Sequence, residues 1–466
     1  MAQNISRTPV REQDPAERAA NFNEVCYGFN VEEASREASR CLHCRVPRCV
    51  AACPVGINIP AFIASISEGD YAMAARIIRE DSLLPSICGR VCPQETQCEG
   101  SCILGIKGQS VAIGKLERFV GDWELSDGTD EEMEIAPNGH SVAVVGSGPA
   151  GLACAADLAK KGYAITVFEA LHRLGGVLSY GIPEFRLPKE DIVEREISKV
   201  ARLGVKFETN TIIGRTLTID ELLDREGFDA VFVGSGAGLP KFMHIAGENL
   251  NGVFSANEFL TRINLMGAYA PEGHDTPVIV GRRVAVVGGG NVAMDAVRSA
   301  KRLGAEAIII YRRSEAELPA RQEEVGHAKE EGIRFEMLTN PVEVLGDERG
   351  WVKALRCRRM RLGEPDASGR RSPIEVEGSD FDVECDTVIM ALGTSPNPLI
   401  ASTTEGLERS TRGGLTADDE GATTREGVFA GGDAVTGAAT VILAMGAGRR
   451  AAAAIDRYVT TKTFER

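Results

Sequence analysis

Two segments of the chain repeat one order of elements: an apolar strand, a glycine-rich turn, an amphipathic helix and a second strand. The first segment begins with the apolar run 142–145 and ends at Glu169, and the second begins with the run 284–287 and ends at Tyr311. Short β-branched runs that alternate with helical periodicity are typical of βαβ units and a parallel sheet. The pattern predicts an α/β chain that contains two Rossmann-like dinucleotide-binding domains.

The N-terminal part of the chain has a different pattern, with short helical stretches separated by proline and glycine, and with eight of the 12 cysteines. This pattern predicts a small helical domain over residues 1–130. Two further glycine-rich strand ends indicate where the chain passes between the two nucleotide-binding domains. We therefore expect the first of these domains to be split into 131–245 and 386–466, with the second, 246–385, inserted.

The first glycine turn has the composition of a site for a dinucleotide with an unphosphorylated ribose. Gly146, Gly148 and Gly151 allow a sharp turn and the close approach of a pyrophosphate to a helix start, where free N–H groups favour anions. Glu169 follows Gly151 by 18 residues, where an acidic side chain accepts a ribose 2′-hydroxyl. We expect this turn to bind FAD.

The second glycine turn differs at the end of its second strand. Superposing the two repeats by their glycines places Tyr311 where the first has its acidic residue, followed by Arg312 and Arg313. Two permanent cations would attract a 2′-phosphate, which predicts NADP(H) as the second dinucleotide. The alternative is a solvated strand end that carries salt bridges. The turn residues expected to contact this cofactor are Gly288, Gly290, Asn291 and Val292.

A third segment near the C-terminus also suits a flavin. Gly432 and Asp433 end an apolar strand, and a helix of small residues that contains Thr440 follows. An aspartate beside a helix start can hydrogen-bond the ribityl or pyrophosphate part of FAD. The alternative is an ordinary helix-capping aspartate.

The charge and the apolar stretches of the chain exclude several classes of function. The chain of 466 residues has 52 Lys plus Arg against 67 Asp plus Glu, a formal charge of −15, which disfavours nucleic acid as a partner. The longest stretch of small apolar residues, 437–448, is shorter than the roughly 20 residues that span a bilayer. The first residues have no apolar signal-peptide core, so we expect a cytoplasmic protein with reduced cysteines.

The eight N-terminal cysteines form two runs with metal-ligand spacing. Proline directly follows Cys53 and Cys92, as in ferredoxin-type [4Fe-4S] motifs, so the runs predict two such clusters. A four-thiolate zinc site is the alternative, although the longer gaps suit it less. The two runs are Cys41, Cys44, Cys49 and Cys53, then Cys88, Cys92, Cys98 and Cys102.

Taken together, these motifs resemble the family of the small subunit of NADPH-dependent glutamate synthase, which includes the large subunit of NADH-dependent ferredoxin:NADP oxidoreductase. The resemblance covers almost the whole chain and implies a helical domain with two [4Fe-4S] clusters, a split FAD domain and an inserted NADPH domain. It is carried by the motifs at 41–44, 49–55, 87–95, 146–151, 175–189, 288–295, 311–314 and 431–434.

The resemblance also implies a ligand set. For the fourth ligand of the cluster that contains Cys53, Cys92 and Cys98, spacing alone favours Cys88, whereas the resemblance favours Glu117. In the 175–189 motif it implies that Gly176, Leu178 and Arg186 contact the flavin. It assigns one cluster to Cys41, Cys44, Cys49 and Cys102 and the other to Cys53, Cys92, Cys98 and Glu117.

These cofactors imply an oxidoreductase that moves electrons between NADPH and one-electron carriers. Within the family, Val50 after Cys49 and the segment 55–63 resemble the ferredoxin:NADP oxidoreductase branch, which is electron-bifurcating, and this resemblance implies ferredoxin among the partners. The first alternative is the glutamate synthase small subunit, which supplies electrons to an amidotransferase large subunit. The second is an iron–sulfur scaffold without turnover, although such a protein needs no dinucleotide sites. We name no catalytic acid or nucleophile, and we expect a second redox subunit.

Overall fold

The computed structural model describes residues 6–127, 134–270, 272, 276–367 and 369–464. Its N-terminal region is mainly helical. Asn30 and Glu33 form a capping box at the start of α2, and Asp70 caps α5. The elements are β1 (Arg11–Glu12), α1 (Pro15–Arg18), β2 (Cys26–Gly28), α2 (Val31–Ala38), α3 (Arg48–Ala51), α4 (Ile59–Glu68), α5 (Tyr71–Asp81), α6 (Pro85–Val91) and α7 (Ile113–Asp127).

The first nucleotide-binding region alternates strands and helices, as the hydrophobic pattern predicts. A π-helical turn, Lys189–Glu194, precedes α10. The elements are β3 (Ser141–Val145), α8 (Pro149–Ala159), β4 (Ala164–Phe168), α9 (Val177–Tyr180), α10 (Arg195–Arg202), β5 (Lys206–Glu208), α11 (Ile219–Asp224) and β6 (Ala230–Val233).

The remaining chain forms the second nucleotide-binding region and then returns to the first. Its elements up to the return are β7 (Leu239–Pro240), β8 (Val253–Ser255), α12 (Ala256–Asn264), β9 (Arg283–Val287), α13 (Asn291–Arg302), β10 (Glu306–Tyr311), α14 (Gln322–Glu330), β11 (Arg334–Met337), β12 (Thr339–Gly346), β13 (Val352–Pro365), β14 (Arg371–Glu375), β15 (Phe381–Glu384), β16 (Thr387–Met390) and β17 (Thr394–Ser395). The last elements are α15 (Leu399–Ser402), β18 (Val428–Ala430), α16 (Asp433–Thr436) and α17 (Val441–Phe464).

Two five-stranded parallel sheets form the centres of these regions, so the predicted α/β class is confirmed. The first has the order β18-β6-β3-β4-β5, and the second has the order β11-β10-β9-β16-β8. The first sheet takes its edge strand β18 from the C-terminal part of the chain, and the second sheet is inserted between β6 and β18. The antiparallel strands β12 to β15 form a third sheet, and β7 pairs with β17 where the chain crosses between the two regions.

The predicted return to the first region at residue 386 is too early. β16 lies between β9 and β8 in the second sheet, so the crossing follows Met390. A four-residue buried strand gives no sequence signal of which sheet it joins. Of the other two predicted boundaries, the one between residues 245 and 246 falls between β7 and β8, and the one at residue 130 lies outside the described residues.

The hydrophobic core of the first sheet extends into the helical region. Leu84, directly before α6, and Ile87 of α6 are fully buried in the same cluster as Leu152 of α8 and Ile455 of α17. Non-local burial of this kind cannot be seen in the local pattern of α6. Among the described residues, no helix is long and apolar enough to cross a membrane.

Candidate functional site

The first glycine turn connects β3 to α8, and its glycines have distinct roles. A side chain on Gly151 would place Cβ 1.9 Å from the Gly146 carbonyl oxygen, so only glycine allows α8 to approach the strand this closely. Gly148 precedes the first residue of α8 and has open space where a Cβ would lie. The open cradle and the free N–H groups of the helix start fit a pyrophosphate.

Glu169 lies directly after β4 and faces this turn. Its buried carboxylate accepts hydrogen bonds from the Ser147 backbone N–H (2.9 Å), the Ser147 hydroxyl (2.6 Å) and the Leu171 N–H (2.8 Å). The Ser147 hydroxyl in turn accepts from the Gly175 N–H at 3.0 Å. This network fixes the carboxylate beside the glycine turn, where the repeat places a ribose-binding acid.

The 175–181 loop closes over the turn. At Gly176, with φ +54°, a Cβ would lie 3.1 Å from the Gly148 Cα, so the two backbones pass in close contact. Leu178 is fully buried in the core of the first sheet. Its side chain therefore holds the loop down through packing, and any contact of Leu178 with a flavin stays a prediction.

The C-terminal segment contributes a second helix start to the same place. A Cβ on Gly432 would lie 3.0 Å from the Ala150 Cβ of α8, so the strand end after β18 adjoins the glycine turn. Asp433 accepts a hydrogen bond from the Ala439 N–H (3.1 Å), and burial raises the pKa of its carboxyl to about 6. The Thr440 hydroxyl accepts from the Leu443 N–H (3.3 Å) and thereby caps α17.

The second glycine turn repeats the geometry of the first. Gly288 has φ +144°, and a Cβ there would lie 2.4 Å from the Ala391 carbonyl oxygen, whereas Gly290 at the start of α13 faces open space. The Asn291 side chain accepts a hydrogen bond from the Arg321 N–H (2.9 Å), and Val292 is exposed. The turn therefore offers a second open helix start for a pyrophosphate.

The two arginines after β10 do not form a matched pair, which corrects one prediction. Arg312 is exposed and makes no hydrogen bond or ion pair with any described residue. Arg313 is buried, and it donates to the Arg371 carbonyl oxygen (2.8 Å) and to the Asp366 carboxylate (2.6 Å). Arg313 thus fastens the β13–β14 hairpin, and contact of Arg312 with a 2′-phosphate stays a prediction.

The outer cysteine site consists of four half-buried thiols that line one cavity of about 70 Å³. Burial raises the pKa of the Cys41 and Cys49 thiols, for Cys49 to about 11, and the neighbouring thiols add to this effect. As thiolates these four groups would repel one another, and an iron–sulfur cluster between them would supply the compensating positive charge. The four members are Cys41, Cys44, Cys49 and Cys102.

The inner cysteine site, Cys53, Cys92, Cys98 and Glu117, is more deeply buried. Cys98 lies within electrostatic reach of the other three, because each raises the pKa of its thiol. The Glu117 Oε1 atom is buried without a hydrogen-bond partner among the described residues, and burial raises the pKa of this carboxyl to about 8. A buried carboxyl oxygen without a hydrogen-bond partner is costly, and a metal centre beside the three thiols would satisfy it.

Cys88 also lies near the inner site. It is fully buried in α6 and belongs, together with Cys92, to the apolar core of the first sheet. Its thiol can remain there as a small apolar group. The unsatisfied oxygen of Glu117 therefore makes Glu117 the better candidate for the fourth ligand.

The inner site adjoins the flavin region through the start of α17. A Cβ on Gly446 would lie 3.2 Å from the Val55 side chain, which is two residues after Cys53. The Leu83 N–H lies 3.3 Å from the Met445 sulfur. The cysteine loops therefore pack directly on the helix whose start faces the first glycine turn.

Arg186 has partners other than the predicted flavin. Its buried guanidinium is ion-paired with Asp295 of α13 (2.6 Å) and Glu324 of α14 (3.0 Å), both in the second nucleotide-binding region. On the other side of α14, Lys115 of α7 contacts Glu323 at 2.7 Å. Helix α14 is therefore held between the first nucleotide-binding region and the helical region, and Arg186 joins two regions of the fold.

One further group of side chains has the residue types of a metal site, but neighbouring cations cancel the negative charge that a metal ion would need. The Lys115 ammonium lies 2.7 Å from one carboxylate of the group, and the Arg18 guanidinium lies 3.3 Å from the other. These cations neutralise both carboxylates and would repel a divalent ion. The group comprises Glu12, Cys26, Glu323 and His327.

Two residues that the sequence analysis missed belong to the nucleotide sites. Ser147 orients Glu169, and it could have been noticed because it lies inside the first glycine motif. The Arg321 backbone positions Asn291 from 30 residues away, and no local pattern indicates such a contact.

Comparison with known families divides the chain as its structure does. Residues 18–129 match the family described as dihydropyrimidine dehydrogenase domain II, 4Fe-4S cluster, and residues 140–451 match pyridine nucleotide-disulphide oxidoreductase. Among solved structures, FprA of Mycobacterium tuberculosis in complex with NADPH covers 70% of this chain and 86% of its own, with 19% identity and a TM-score of 0.58. This likeness concerns the fold.

Curated relatives are considerably more similar. The glutamate synthase [NADPH] small chain of Halomonas elongata is 39% identical over 97% of both chains. The putative oxidoreductase AegA of Escherichia coli is 39% identical over 96% of this chain and 69% of its own length. The NADPH-Fe(3+) oxidoreductase subunit beta of Geobacter sulfurreducens is 40% identical over 88% of this chain and 63% of its own. The chain therefore belongs to the pyridine nucleotide-disulphide oxidoreductases and, among them, to the family of the NADPH-dependent glutamate synthase small chain.

Proposed function

We propose that this chain oxidises NADPH and passes the electrons, one at a time, through two [4Fe-4S] clusters to a second redox subunit. The observation that carries this proposal is the contact of the Cys53 loop with the start of α17, which joins the inner cysteine site to the flavin region. FAD, when bound, supplies the chemistry that accepts two electrons and releases them singly. The proposal needs no catalytic acid or nucleophile from the protein.

The residues of the chain bind and orient the cofactors. Glu169, fixed by Ser147, would accept the ribose hydroxyl of FAD, while the starts of α8 and α17 face its phosphates. In the second region, the start of α13 would hold the pyrophosphate of NADPH, and Arg312 would contact its 2′-phosphate. The ion pairs of Arg186 with Asp295 and Glu324 keep the two nucleotide-binding regions in one relative orientation.

The two cysteine sites lie at different depths, which suggests the order in which electrons would pass through them. Three members of the inner site, Cys92, Cys98 and Glu117, are buried, whereas Cys53 and the thiols of the outer site are half-buried. The inner site would therefore exchange electrons with the flavin region, and the outer site would exchange them with a partner. The Glu117 ligand would complete the inner site.

Two partner types are compatible with this arrangement. The relative from Halomonas elongata, similar over the full length of both chains, is a small chain of glutamate synthase, which supports a large amidotransferase subunit as the partner. The sequence after Cys49, with Val50 and the 55–63 segment, supports the electron-bifurcating branch and a flavin and iron–sulfur partner. The protein that copurifies with the untagged chain distinguishes them.

Anaerobic stopped-flow absorption tests the proposal itself. Mixing the purified holoprotein with NADPH should bleach the flavin band, and freeze-quenched samples should then show the electron paramagnetic resonance signals of reduced [4Fe-4S] clusters. A flavin that NADPH reduces while both clusters stay oxidised would refute the electron path. A chain that binds iron but neither dinucleotide would be a scaffold.

A further inference from the structure

A fully buried carboxylate of the flavin region reaches into the helical region. Glu196 of α10 is 1% exposed, and one of its oxygens accepts a hydrogen bond from the Ser86 N–H of α6 at 3.1 Å. Its other oxygen lies 3.0 Å from the Arg79 guanidinium of α5. Charged side chains are seldom buried to this degree, because the loss of hydration is costly even when the charge is paired. Neither the glycine turns nor the cysteine sites account for this carboxylate.

The packing of α6 on α7 places Glu196 close to the inner cysteine site. Gly121 of α7 lies against Ser86, since a Cβ on this glycine would be 2.5 Å from the Ser86 backbone nitrogen. Glu117 precedes Gly121 by one helical turn and therefore lies on the same face of α7. The charge of Glu196 adds to burial in raising the pKa of the Glu117 carboxyl. Contact geometry and electrostatics thus both bring Glu196 within reach of the inner site.

Glu196 is one end of a row of four alternating charges, which we call the charge row. Arg79 also pairs with Glu124 at 2.7 Å, and Glu124 pairs with Lys199 at 3.0 Å. The side chain of Glu196 is fully buried, whereas the other three side chains are between 13% and 25% exposed. Solvent screens the three outer charges more strongly than the buried one. The inner cysteine site is therefore affected mainly by the negative end of the charge row.

We propose that Glu196 is a positioning residue for the inner cluster, and that its fixed negative charge lowers the reduction potential of that cluster. The proposal rests on the proposed function, because it concerns electron transfer through the inner site. Reduction adds one electron to an iron–sulfur cluster, and a carboxylate nearby disfavours the more negative, reduced form. Glu196 would thereby favour transfer of the electron from the inner site to the outer site.

The test is Glu196→Gln, which removes the charge but keeps an oxygen that can accept from the Ser86 N–H. Glu196→Asp is the conservative variant, because it retains the charge. The matched control is Glu124→Gln, which removes the other carboxylate of Arg79 at the more exposed side of the charge row. Each holoprotein is titrated anaerobically with dithionite, and both cluster signals are followed by electron paramagnetic resonance. The signal that Cys44→Ser retains identifies the inner cluster.

We expect Glu196→Gln to raise the midpoint potential of the inner cluster. The expected shift corresponds to a change of about tenfold in the equilibrium constant for its reduction, or about 59 mV for one electron. The potential of the outer cluster should stay the same in every variant. Glu196→Asp and Glu124→Gln should shift the inner cluster by less than about a third of this amount. Iron and flavin contents should be unchanged.

Several results would overturn the proposal. One is an inner cluster with the same potential in the wild type and in Glu196→Gln. Others are an equal rise in Glu196→Asp or Glu124→Gln, or loss of the inner cluster from Glu196→Gln, because the role of Glu196 would then be structural. The titration uses no NADPH, so it is independent of the proposed function. If the expected shifts occur but NADPH does not reduce the flavin, only the proposed function fails; if NADPH reduces flavin and clusters but no potential shifts, only this inference fails.

Discussion

Replacing Arg312 by alanine should separate recognition of NADPH from the stability of the second nucleotide-binding region. Arg312 is exposed at the end of β10, with no described partner, whereas its neighbour Arg313 is buried and holds Asp366 and the Arg371 carbonyl. Arg312→Ala therefore removes a cation that only a cofactor would use. Arg313→Ala instead removes two hydrogen bonds of the fold itself.

The magnitude follows from the surroundings of each guanidinium. A charge-assisted hydrogen bond contributes about 1.5–3 kcal/mol, and about 1.4 kcal/mol corresponds to a tenfold change in affinity. Because Arg312 is exposed, solvent screens part of this energy. We therefore expect its loss to weaken NADPH by about tenfold, near the lower end of the range, with almost no effect on NADH. For Arg313→Ala we expect the free energy of unfolding to fall by about 1–3 kcal/mol.

The assay is the rate of flavin reduction measured as a function of NADPH and of NADH concentration. Arg312→Ala should raise the KM for NADPH with little change in kcat, and it should leave both parameters for NADH nearly unchanged. Arg313→Ala should lower the thermal midpoint and affect both cofactors to the same degree. Equal losses of NADPH and NADH in Arg312→Ala, or a loss specific to NADPH only in Arg313→Ala, would refute the assignment.

Three further predictions concern the metal sites and the buried ion pairs. Anaerobically purified protein should contain about eight iron and eight sulfide, and Cys44→Ser should keep about four iron and all of the flavin, because the outer site lies outside the core of the first sheet; zinc in place of iron would contradict this. Glu117→Ala should lose the inner cluster while Cys88→Ala retains it, as judged by iron content and cluster signals, and the reverse result would make Cys88 the ligand. The arginines around Glu324 and Glu331 hold the pKa of each carboxyl at about 2, below its usual value, so their stabilisation is complete above about pH 4.5 and is lost as pH falls toward 2. The urea midpoint should accordingly fall between pH 5 and pH 3, and less steeply in Glu331→Gln.

Features encoded by local sequence could be predicted. The β-branched runs before each glycine turn predicted both parallel sheets, because such runs fit the buried strands of a βαβ unit. Glu169 could be placed beside its turn because the length of the repeat fixes where the second strand ends. Three thiols of the outer site, Cys41, Cys44 and Cys49, could be grouped because they lie within nine residues of one another, whereas the place of Cys102 came from the family resemblance.

Features that depend on contacts between distant residues could not be predicted. Arg186 pairs with Asp295, 109 residues away, and nothing in the motif that contains Arg186 indicates this partner. Arg312 and Arg313 are adjacent in sequence, but successive residues of an extended chain point to opposite sides, so only one of them faces the β13–β14 hairpin. The placement of β16 likewise depends on pairing with β8 and β9, which a single strand does not reveal.

The burial of α6 under the first sheet has a consequence for how the protein is made in the cell. Leu84 and Ile87 reach their final environment only when α17, at the far end of the chain, packs beside them. A ribosome synthesises the chain from its N-terminus, so the cysteine loops and this apolar helix emerge long before α17 exists. The apolar face of α6 therefore stays exposed until the rest of the chain has folded. We expect an iron–sulfur cluster at the inner site, which includes Cys92 directly after α6, to be completed only at this late stage.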